Sequence, residues 1–294
     1  MVGGMRKMKK KRNITLFDVI NVLIMVAIGI IMLYPIIYVI SVSFSETIYI
    51  VQNKVTIFPR GFNLDAYKMI LKDQRIPRSY LNTIIYTSVG LTFNLLMTIM
   101  GAYPLSRKHF FGRKFFITAI IFTMFFSGGM IPTFTVVKNM RLLDTMWALV
   151  IPNAIWTTEL IILKSFYENI PASLYEAAII DGASEFTILR KIMIQLSKPA
   201  LASIALFYFM GHWNSYFLPY IYLQDTKKYP LQTVLRDMLI DNTAANPDLM
   251  TVSQITPEAM KNATIFLSMI PVLLLYPFAQ KYFAKGIMLG SVKG

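Results

Sequence analysis

The sequence contains no cysteine and only two histidines, His109 and His212. Disulfides and thiolate metal sites are therefore excluded, and so is a histidine cluster that could hold a metal. The sequence also lacks a phosphate-binding Gly-x-x-x-x-Gly-Lys loop and any nucleophile constellation. We expect no metal, no cofactor and no enzymatic activity.

Charged residues are scarce as well, at 15% of the chain, while 55% of the residues are hydrophobic. Soluble domains average about 25% charged and roughly 45 to 50% apolar residues, so this composition points to lipid as the solvent. The net charge of +14 raises nucleic acid as an alternative partner. The basic residues, however, stand at the ends of apolar segments and form no stripe on one face. We therefore expect a lipid bilayer and no nucleic acid.

Six apolar stretches are long enough to predict transmembrane helices, because a span needs about 18 or more apolar residues. The first follows a basic segment and exceeds the roughly 7 to 15 residues of a signal-peptide core, so we interpret it as an uncleaved helix. The sequence thus predicts an all-α polytopic membrane protein with six transmembrane helices in one domain. The predicted spans are residues 17–42, 80–103, 115–137, 145–163, 199–223 and 263–283.

An even number of spans places both termini on one side of the membrane. The basic residues of segment 1–16 mark that side as cytoplasmic by the positive-inside rule, and the tail 284–294 shares it. Residues 104–114 agree, since this short loop carries four basic residues. Residues 43–79 carry six more, but long translocated loops follow the rule only weakly. The membrane domain is accordingly predicted at residues 17–283.

Two features predict irregular backbone within the spans. The pair Gly128-Gly129 is interpreted as a helix break, because it lacks the lysine of a phosphate-binding loop. Prolines remove a backbone donor, and a membrane helix tolerates them where neighbours satisfy the freed carbonyl. The candidate kinks are Pro132, Pro152, Pro219 and Pro271.

Segment 164–198 is too polar for a span and too regular for a loop, so it predicts two short helices. Pro171 and Ser173 are expected at the start of the first helix, where proline fits the first turn and serine can cap. Gly182 stands where a left-handed residue ends a helix, and Ser184 is expected to cap the second helix.

The first of these helices carries a small surface that can seat in a groove of another protein. Leu174, Ala177 and Ala178 are expected to form its apolar face. Glu176 and Glu185 are expected to supply charge at the rim of that face. The segment is therefore the part of the chain that most strongly predicts a protein partner.

The spacing Glu176-Ala177-Ala178, three residues, then Gly182 resembles the signature of ABC-importer permeases, which lies in their last long cytoplasmic loop. Asp181-Gly182-Ala183 and Pro199 narrow the resemblance to the carbohydrate-uptake, maltose-type family. Residues 211–219 and 280–294 are similar to its tryptophan-asparagine stretch and its C-terminal tail. The chain looks most like the LplC-like group, which serves oligosaccharide importers of mostly Gram-positive bacteria.

The resemblance implies a type I ABC importer architecture in the bacterial plasma membrane. It implies a permease that pairs with a second, homologous permease, two ATPase subunits and an extracytoplasmic sugar-binding protein, with an oligosaccharide as substrate. Loop 224–262 would contact the sugar-binding protein, and the tail 285–294 would reach the ATPase interface. The residues implied in ATPase coupling are Glu176, Ala177, Ala178, Asp181 and Gly182.

One position departs from the family pattern. Gln195 stands where these permeases usually have a proline after the second coupling helix. We expect the helix to continue towards Pro199, which changes the docking angle of the loop and leaves docking itself intact.

Polar and aromatic residues of the spans are candidates for a sugar path. Trp213, Asn214 and Tyr216 can stack on sugar rings or hydrogen-bond to hydroxyls, and Asn153 and Glu159 are candidates for the same path. Interface aromatics and polar contacts between helices are an equally common reason for such residues in membranes. A carboxylate at membrane depth is costly, which indicates a functional or paired position for Glu159.

An ion-coupled secondary transporter or channel is the alternative function. Such transporters commonly show internal repeats and intramembrane ionisable residues. This sequence shows neither clearly, and we interpret His212 as a packed or hydrogen-bonded helix residue. A permease powered by separate ATPase subunits is therefore the favoured reading.

Overall fold

The computed structural model describes residues 15–240 and 256–291. Those residues are mostly helical, as predicted, and they form one isolated antiparallel bridge, between Ser45 and Phe62. The helices are α1 Leu16–Ser43, α2 Thr47–Val51, α3 Asp65–Lys72, α4 Arg75–Ser106, α5 Arg113–Phe125, α6 Met130–Asn139, α7 Trp147–Val150, α8 Thr157–Glu168, α9 Ala172–Ile180, α10 Glu185–Ile188, α11 Ile194–Leu196, α12 Lys198–Trp213, α13 Phe217–Tyr222, α14 Leu231–Ile240 and α15 Pro257–Ser291, with a π turn at Leu189–Met193 and a 3₁₀ turn at Thr226–Lys228.

Helix α1 is apolar on every side, which is the pattern of a helix in lipid. It begins at a capping box, in which the Thr15 hydroxyl accepts from the Asp18 backbone N–H and the Asp18 carboxylate accepts from the Thr15 backbone N–H. Only its last residues, Ser41 to Ser43, are buried, where the helix packs against α15. The predicted first span is thus confirmed as one continuous helix.

Helix α4 is the centre of the fold and packs against both α8 and α12. At about 1.5 Å per residue, its 32 residues exceed the roughly 30 Å of a bilayer's hydrocarbon core. Small or polar side chains recur every three or four residues on its buried face, which lets the neighbouring helices approach closely. They are Ser79, Thr83, Thr87, Gly90, Asn94, Thr98 and Ala102. We call the Arg75 end of α4 the outer end and the Ser106 end the inner end.

The predicted span at 115–137 consists of two helices, α5 and α6. Helices α5 and α6 meet at an angle of 116°, and Gly129 adopts a φ of 84° between them. That φ is left-handed and open to glycine at little cost. The predicted break at Gly128-Gly129 is therefore confirmed.

The predicted helices at 145–163 and 199–223 are also broken. Residues 151–156, which include Pro152, separate α7 from α8, and residues 214–216 separate α12 from α13. A hydropathy window averages over such breaks, because irregular backbone does not lower the apolar content of a segment. By length and composition, three described helices are suited to crossing a membrane, or up to five if each sharply bent pair counts as one span.

The two short helices predicted in 164–198 are present as α9 and α10. Gly182 has a φ of 74°, and the Ser184 hydroxyl accepts from the Thr187 N–H, so both assignments are confirmed. The serine cap of α9 is wrong, because Pro171 occupies the cap position and no side chain caps it.

The second short helix continues as expected beyond the position of the missing proline. Backbone helix runs through the π turn and α11 to Leu196, past Gln195. It then turns by 82° into α12, which has Pro199 in its first turn. The chain therefore bends at Ser197, two residues beyond Gln195.

The last helix continues further than predicted, from Pro257 to Ser291. It covers most of the segment assigned to the cytoplasmic tail, 284–294, so the backbone there is an extension of the helix. Residues 292–294 and residues 241–255 of loop 224–262 lie outside the described residues.

Hydrogen bonds and one ion pair of Asp144, which we call the Asp144 latch, connect two loops at the outer end of the bundle. Asp144, which has a φ of 59°, accepts hydrogen bonds at Oδ1 from the backbone N–H groups of Gln224 at 2.9 Å and Asp225 at 3.1 Å. Its other carboxylate oxygen pairs with the Lys228 ammonium, and its N–H donates to the Tyr222 carbonyl at 2.8 Å. The latch joins the loop before α7 to the loop after α13.

Asp144→Asn should lower the stability of the purified protein at pH 7. Lys228 and the backbone N–H groups lower the pKa of Asp144 from 3.8 to about 2, so the charge stabilises the fold above about pH 4. The partly exposed pair makes the loss modest, on the order of 1 kcal/mol. Thermal unfolding in detergent measures it, and the deficit of the variant should shrink as the pH falls from 4 towards 2.

Asp144→Ala is the companion variant, because alanine fits a positive φ less well than asparagine does. It should be less stable than Asp144→Asn at every pH. Equal stability of wild type and Asp144→Asn at pH 7 would contradict a stabilising role for the charge.

Candidate functional site

A cavity of about 160 Å³ lies between the outer half of α4 and the breaks that follow α7 and α12. No Asp, Glu, Lys or Arg lines it. Its polar groups are hydroxyls, an amide and an imidazole, and its apolar wall includes an indole. The lining residues are Thr83, Tyr86, Leu149, Asn153, Trp156, Gly211, His212, Ser215, Leu218, Pro219 and Pro230.

The inner wall of the cavity is held by Asn94, which is fully buried on α4. Its Nδ2 donates to the carbonyl oxygens of Asn153 and Ala154, which the helix break leaves free. Its Oδ1 lies 2.9 Å from Nε2 of His212. Because Oδ1 can only accept, Nε2 carries the proton and leaves Nδ1 as an acceptor. One amide thus joins α4, the break and α12.

The indole of Trp156 packs directly on the backbone of α12. A Cβ placed on Gly211 would lie 2.0 Å from Cη2 of Trp156, so only glycine permits this approach. The ring also packs edge-on against Tyr208, with the ring centroids 4.9 Å apart. The Tyr208 hydroxyl in turn lies 2.6 Å from the Thr98 hydroxyl of α4. These contacts hold the indole in a single orientation at the cavity wall.

Such a lining suits a neutral, hydroxyl-rich ligand. Indole and phenol rings offer flat apolar faces to the carbon face of a sugar ring, while amides and hydroxyls hydrogen-bond to its hydroxyl groups. Pockets that combine apolar walls with a few polar groups are typical small-molecule sites. In the described part of the chain, no three His, Asp or Glu side chains come close enough to hold a metal ion.

Of the five residues expected along a sugar path, the structure places one, Asn153, at the cavity. Trp213 is 3% exposed, and its indole N–H donates to the Ser268 carbonyl at 3.0 Å, so it joins α12 to α15. Asn214 and Tyr216 are exposed in the break after α12. Glu159 is 7% exposed in the first turn of α8, and it has no ion-pair partner among the described residues.

Trp156, His212 and Tyr86 line the cavity, and sequence reasoning did not select them for a sugar path. Hydropathy gives no indication of which aromatic residue of a span faces a neighbour and which faces a space. A usable signal was the buried polar Asn94 in the middle of a long span, because such a residue requires a partner. His212 is the packed, hydrogen-bonded residue that the sequence predicted.

The residues of the expected coupling motif lie at the inner end of the bundle: Glu176, Ala177 and Ala178 are on α9, and Asp181 and Gly182 are on the turn between α9 and α10. Glu176 and Asp181 are exposed and make no side-chain hydrogen bond within the described residues. Ala177 is exposed beside them, whereas Ala178 is 8% exposed and packs into the core. Of the three residues of the predicted apolar face, Leu174 and Ala177 are exposed, whereas the tertiary fold turns Ala178 inward.

Further apolar side chains around this turn are exposed to solvent. Ile180 is 85% exposed and Phe186 is 70% exposed. Glu185, expected at the rim, is exposed and accepts hydrogen bonds from Tyr103 and Tyr175. The surface thus presents apolar groups and two unpaired carboxylates, which is a chemistry suited to a partner protein.

No protein-family model matches the sequence, but known proteins align with it over nearly its full length. Protein LplC of Bacillus subtilis (strain 168) is 44% identical over 280 residues, which cover 95% of each chain. The polygalacturonan/rhamnogalacturonan transport system permease protein YtcP of the same strain is 43% identical over 282 residues, which cover 95% of this chain and 99% of the relative.

A solved structure shares the fold. A chain of a bacterial ABC transporter involved in the import of the acidic polysaccharide alginate matches with a TM-score of 0.86 and 37% identity, over 91% of this chain and 96% of that chain. A chain from a complex of the alginate transporter with a periplasmic protein bound to alginate pentasaccharide matches with a TM-score of 0.58 and 15% identity. The second likeness concerns the fold alone.

Gly211→Ala should destabilise the protein by about 1 to 3 kcal/mol, because the added methyl group overpacks the contact with Trp156. The indole cannot yield freely, since it also packs against Tyr208. Thermal unfolding of the purified protein in detergent measures the loss. Gly29→Ala is the matched control, because a Cβ at Gly29 meets nothing within 4 Å. Equal unfolding midpoints for the two variants would contradict the close packing of Trp156.

Proposed function

The chain belongs to the permease family of carbohydrate ABC importers, and from that premise we propose how it works as one half of an oligosaccharide path. It is a multi-pass transport subunit of the inner membrane, and separate ATPase subunits hydrolyse the ATP. The observation that carries the proposal is the uncharged cavity built around Asn94, with an exposed coupling surface on α9 and the turn to α10 at the inner end of the bundle. The ion-coupled alternative finds no support in the relatives.

The cavity is proposed as a point on the path where the saccharide makes contact. Asn153 and Trp156 offer a hydrogen-bonding edge and a stacking face, and both side chains lie on the break between α7 and α8. Asn214 and Tyr216 lie on the break after α12, where exposed polar and aromatic groups suit a passing sugar. Glu159 is assigned to the path less directly, because it does not line the cavity.

The turn between α9 and α10 is proposed as the ATPase docking site. Glu176 is exposed and unpaired, so it is available for a charge-assisted contact with a partner. Ala177 permits close approach, and the left-handed Gly182 sets the angle between the two helices. Asp181 adds a second exposed carboxylate on the same side.

The arrangement of the chain in the membrane follows from this docking site. We place the inner end in the cytoplasm together with both termini, with six spans in which Trp147–Glu168 forms one span broken at the cavity. A second, homologous permease would complete the path, and the exposed apolar faces of α1 and α5 are consistent with contacts to it or to lipid. A sugar-binding protein would deliver the oligosaccharide at the outer end, with loop 224–262 as a contact.

The relatives suggest which oligosaccharides to test. The name of one relative refers to polygalacturonan and rhamnogalacturonan, and the solved neighbour imports alginate. Deleting the gene in its natural host should abolish uptake of the cognate oligosaccharide and leave uptake of unrelated sugars intact. A panel of labelled uronate-containing and neutral oligosaccharides identifies the substrate, and the intact gene should restore uptake. Unchanged uptake of every saccharide in the deletion strain would refute the function.

Glu176→Lys should uncouple transport, because it places a cation where the ATPase subunits are expected to meet a carboxylate. Breaking one partner of a buried charge pair costs roughly 3 to 5 kcal/mol, so the ATPase subunits should no longer co-purify and uptake should be lost. Glu46→Lys is the matched control, since it reverses an exposed glutamate at the outer end and should leave co-purification intact. Normal co-purification and uptake in a well-inserted Glu176→Lys protein would contradict the docking role.

A further inference from the structure

A cluster of four side chains ties the inner end of α4 to the coupling helices. Tyr103 and Arg107 come from the end of α4, Tyr175 from α9, and Glu185 from the first turn of α10. The Glu185 carboxylate accepts from both phenol hydroxyls, with Tyr103 at Oε2 and Tyr175 at Oε1. The Arg107 guanidinium carbon lies 4.6 Å from the Tyr103 ring centroid and 4.0 Å from that of Tyr175.

Arg107 therefore lies between two aromatic faces contributed by different helices. Its Nε and Nη2 are buried, and neither has a hydrogen-bond partner among the described residues. The guanidinium is thus held by the ring faces and by the nearby charge of Glu185. A planar, weakly hydrated cation suits this position, and a lysine ammonium would not stack in the same way.

The cluster joins two surfaces with different roles. On one side, α9 carries Glu176 and the turn with Asp181, which form the proposed docking site. On the other side, α4 runs from Tyr103 to Asn94, a distance of nine residues or about 14 Å along the helix. It then continues to the cavity residue Tyr86. A displacement of α9 and α10 can reach the cavity through α4 only if these helices move together.

Apolar packing also holds the coupling helices onto the bundle. Ala178 and Ile188 are buried in the same apolar core as Tyr167 and Leu163 of α8, so burial already holds α9 and α10 in place. What Arg107 adds is a fixed orientation, since stacking between two rings restricts both rotation and sliding. Apolar packing alone is less directional than this arrangement.

We propose that Arg107 is a positioning residue for coupling, which makes α4 and the coupling helices one rigid body and passes movement of the ATPase subunits to the cavity. The proposal rests on the proposed function and assigns the transmission step within it. A ligand that binds one arrangement of the ATPase subunits more tightly shifts the equilibrium towards that arrangement. The shift reaches the cavity only if a contact such as that of Arg107 connects the two regions.

The test uses the complete importer, with both permeases, the ATPase subunits and the sugar-binding protein reconstituted in lipid vesicles. This chain has no cysteine, so Ser215→Cys at the cavity gives it a single thiol, and the labelling of this chain is followed separately from that of the other subunits. ATP hydrolysis, sugar uptake and the labelling rate of this thiol by a polar maleimide are measured, the last with and without vanadate trapping. Arg107→Met is compared with Lys108→Met, which removes one exposed charge from the adjacent position.

In Arg107→Met, the ATPase subunits should still assemble and hydrolyse ATP, while sugar moved per ATP should fall about tenfold. The change in thiol labelling on vanadate trapping should also disappear. Lys108→Met should behave as wild type in all three measurements. Tyr175→Phe, which keeps the ring and removes the bond to Glu185, should fall between Arg107→Met and wild type.

Three outcomes would overturn the proposal: an unchanged yield of sugar per ATP in Arg107→Met, an unchanged labelling response, or loss of the ATPase subunits from the complex. The last would mean that Arg107 shapes the docking surface itself. If Arg107→Met fails to insert, Arg107→Lys is judged by the same criteria. Absence of saccharide uptake by the wild-type complex would contradict the proposed function. The labelling response would still test whether Arg107 passes movement of the ATPase subunits to the cavity.

Discussion

The fold depends on one buried amide, that of Asn94. In a hydrocarbon environment each unsatisfied backbone carbonyl costs several kcal/mol, so a helix break is tolerated only where a side chain, a neighbouring helix or water satisfies the freed groups. Asn94 does so for Asn153 and Ala154 and binds His212 on the opposite helix. The break and the inner wall of the cavity depend on this side chain, and the approach of α12 to α4 depends on it together with the contact between Tyr208 and Thr98.

The breaks are the places where functional groups become available. A regular membrane helix satisfies its own backbone and offers only side chains to its surroundings. Residues 151–156 and 214–216 interrupt that pattern, and both segments carry residues of the cavity wall. Because Gly211 has no side chain, the Trp156 indole can lie against the backbone of α12 and form part of the cavity wall.

Helix α4 links the two ends of the molecule. Near its outer end the Asp144 latch and the cavity lie beside a small apolar cluster that includes Val137, Leu149 and Tyr222, and charge and hydrogen bonds add to this packing. At its inner end the Arg107 cluster meets helices that the core already holds, so the same kinds of contact serve orientation. One continuous helix therefore connects the cavity that we propose as the saccharide contact with the surface that we propose as the ATPase docking site.

The sequence by itself determined the membrane class, the first, second and last long helices, the glycine turn and the serine cap of the coupling loop, and the family. These follow from local properties: the length of an apolar run, the φ that glycine permits and the spacing of a short motif. Only the tertiary structure decided that the predicted spans at 145–163 and 199–223 are divided into separate helices and that Ala178 faces inward. It also decided that Trp156 lines the cavity while Trp213 joins two helices. The physical reason is that the side of a helix that meets a neighbour, a space or a partner is set by the packing of distant segments, and an apolar pattern is the same in each case.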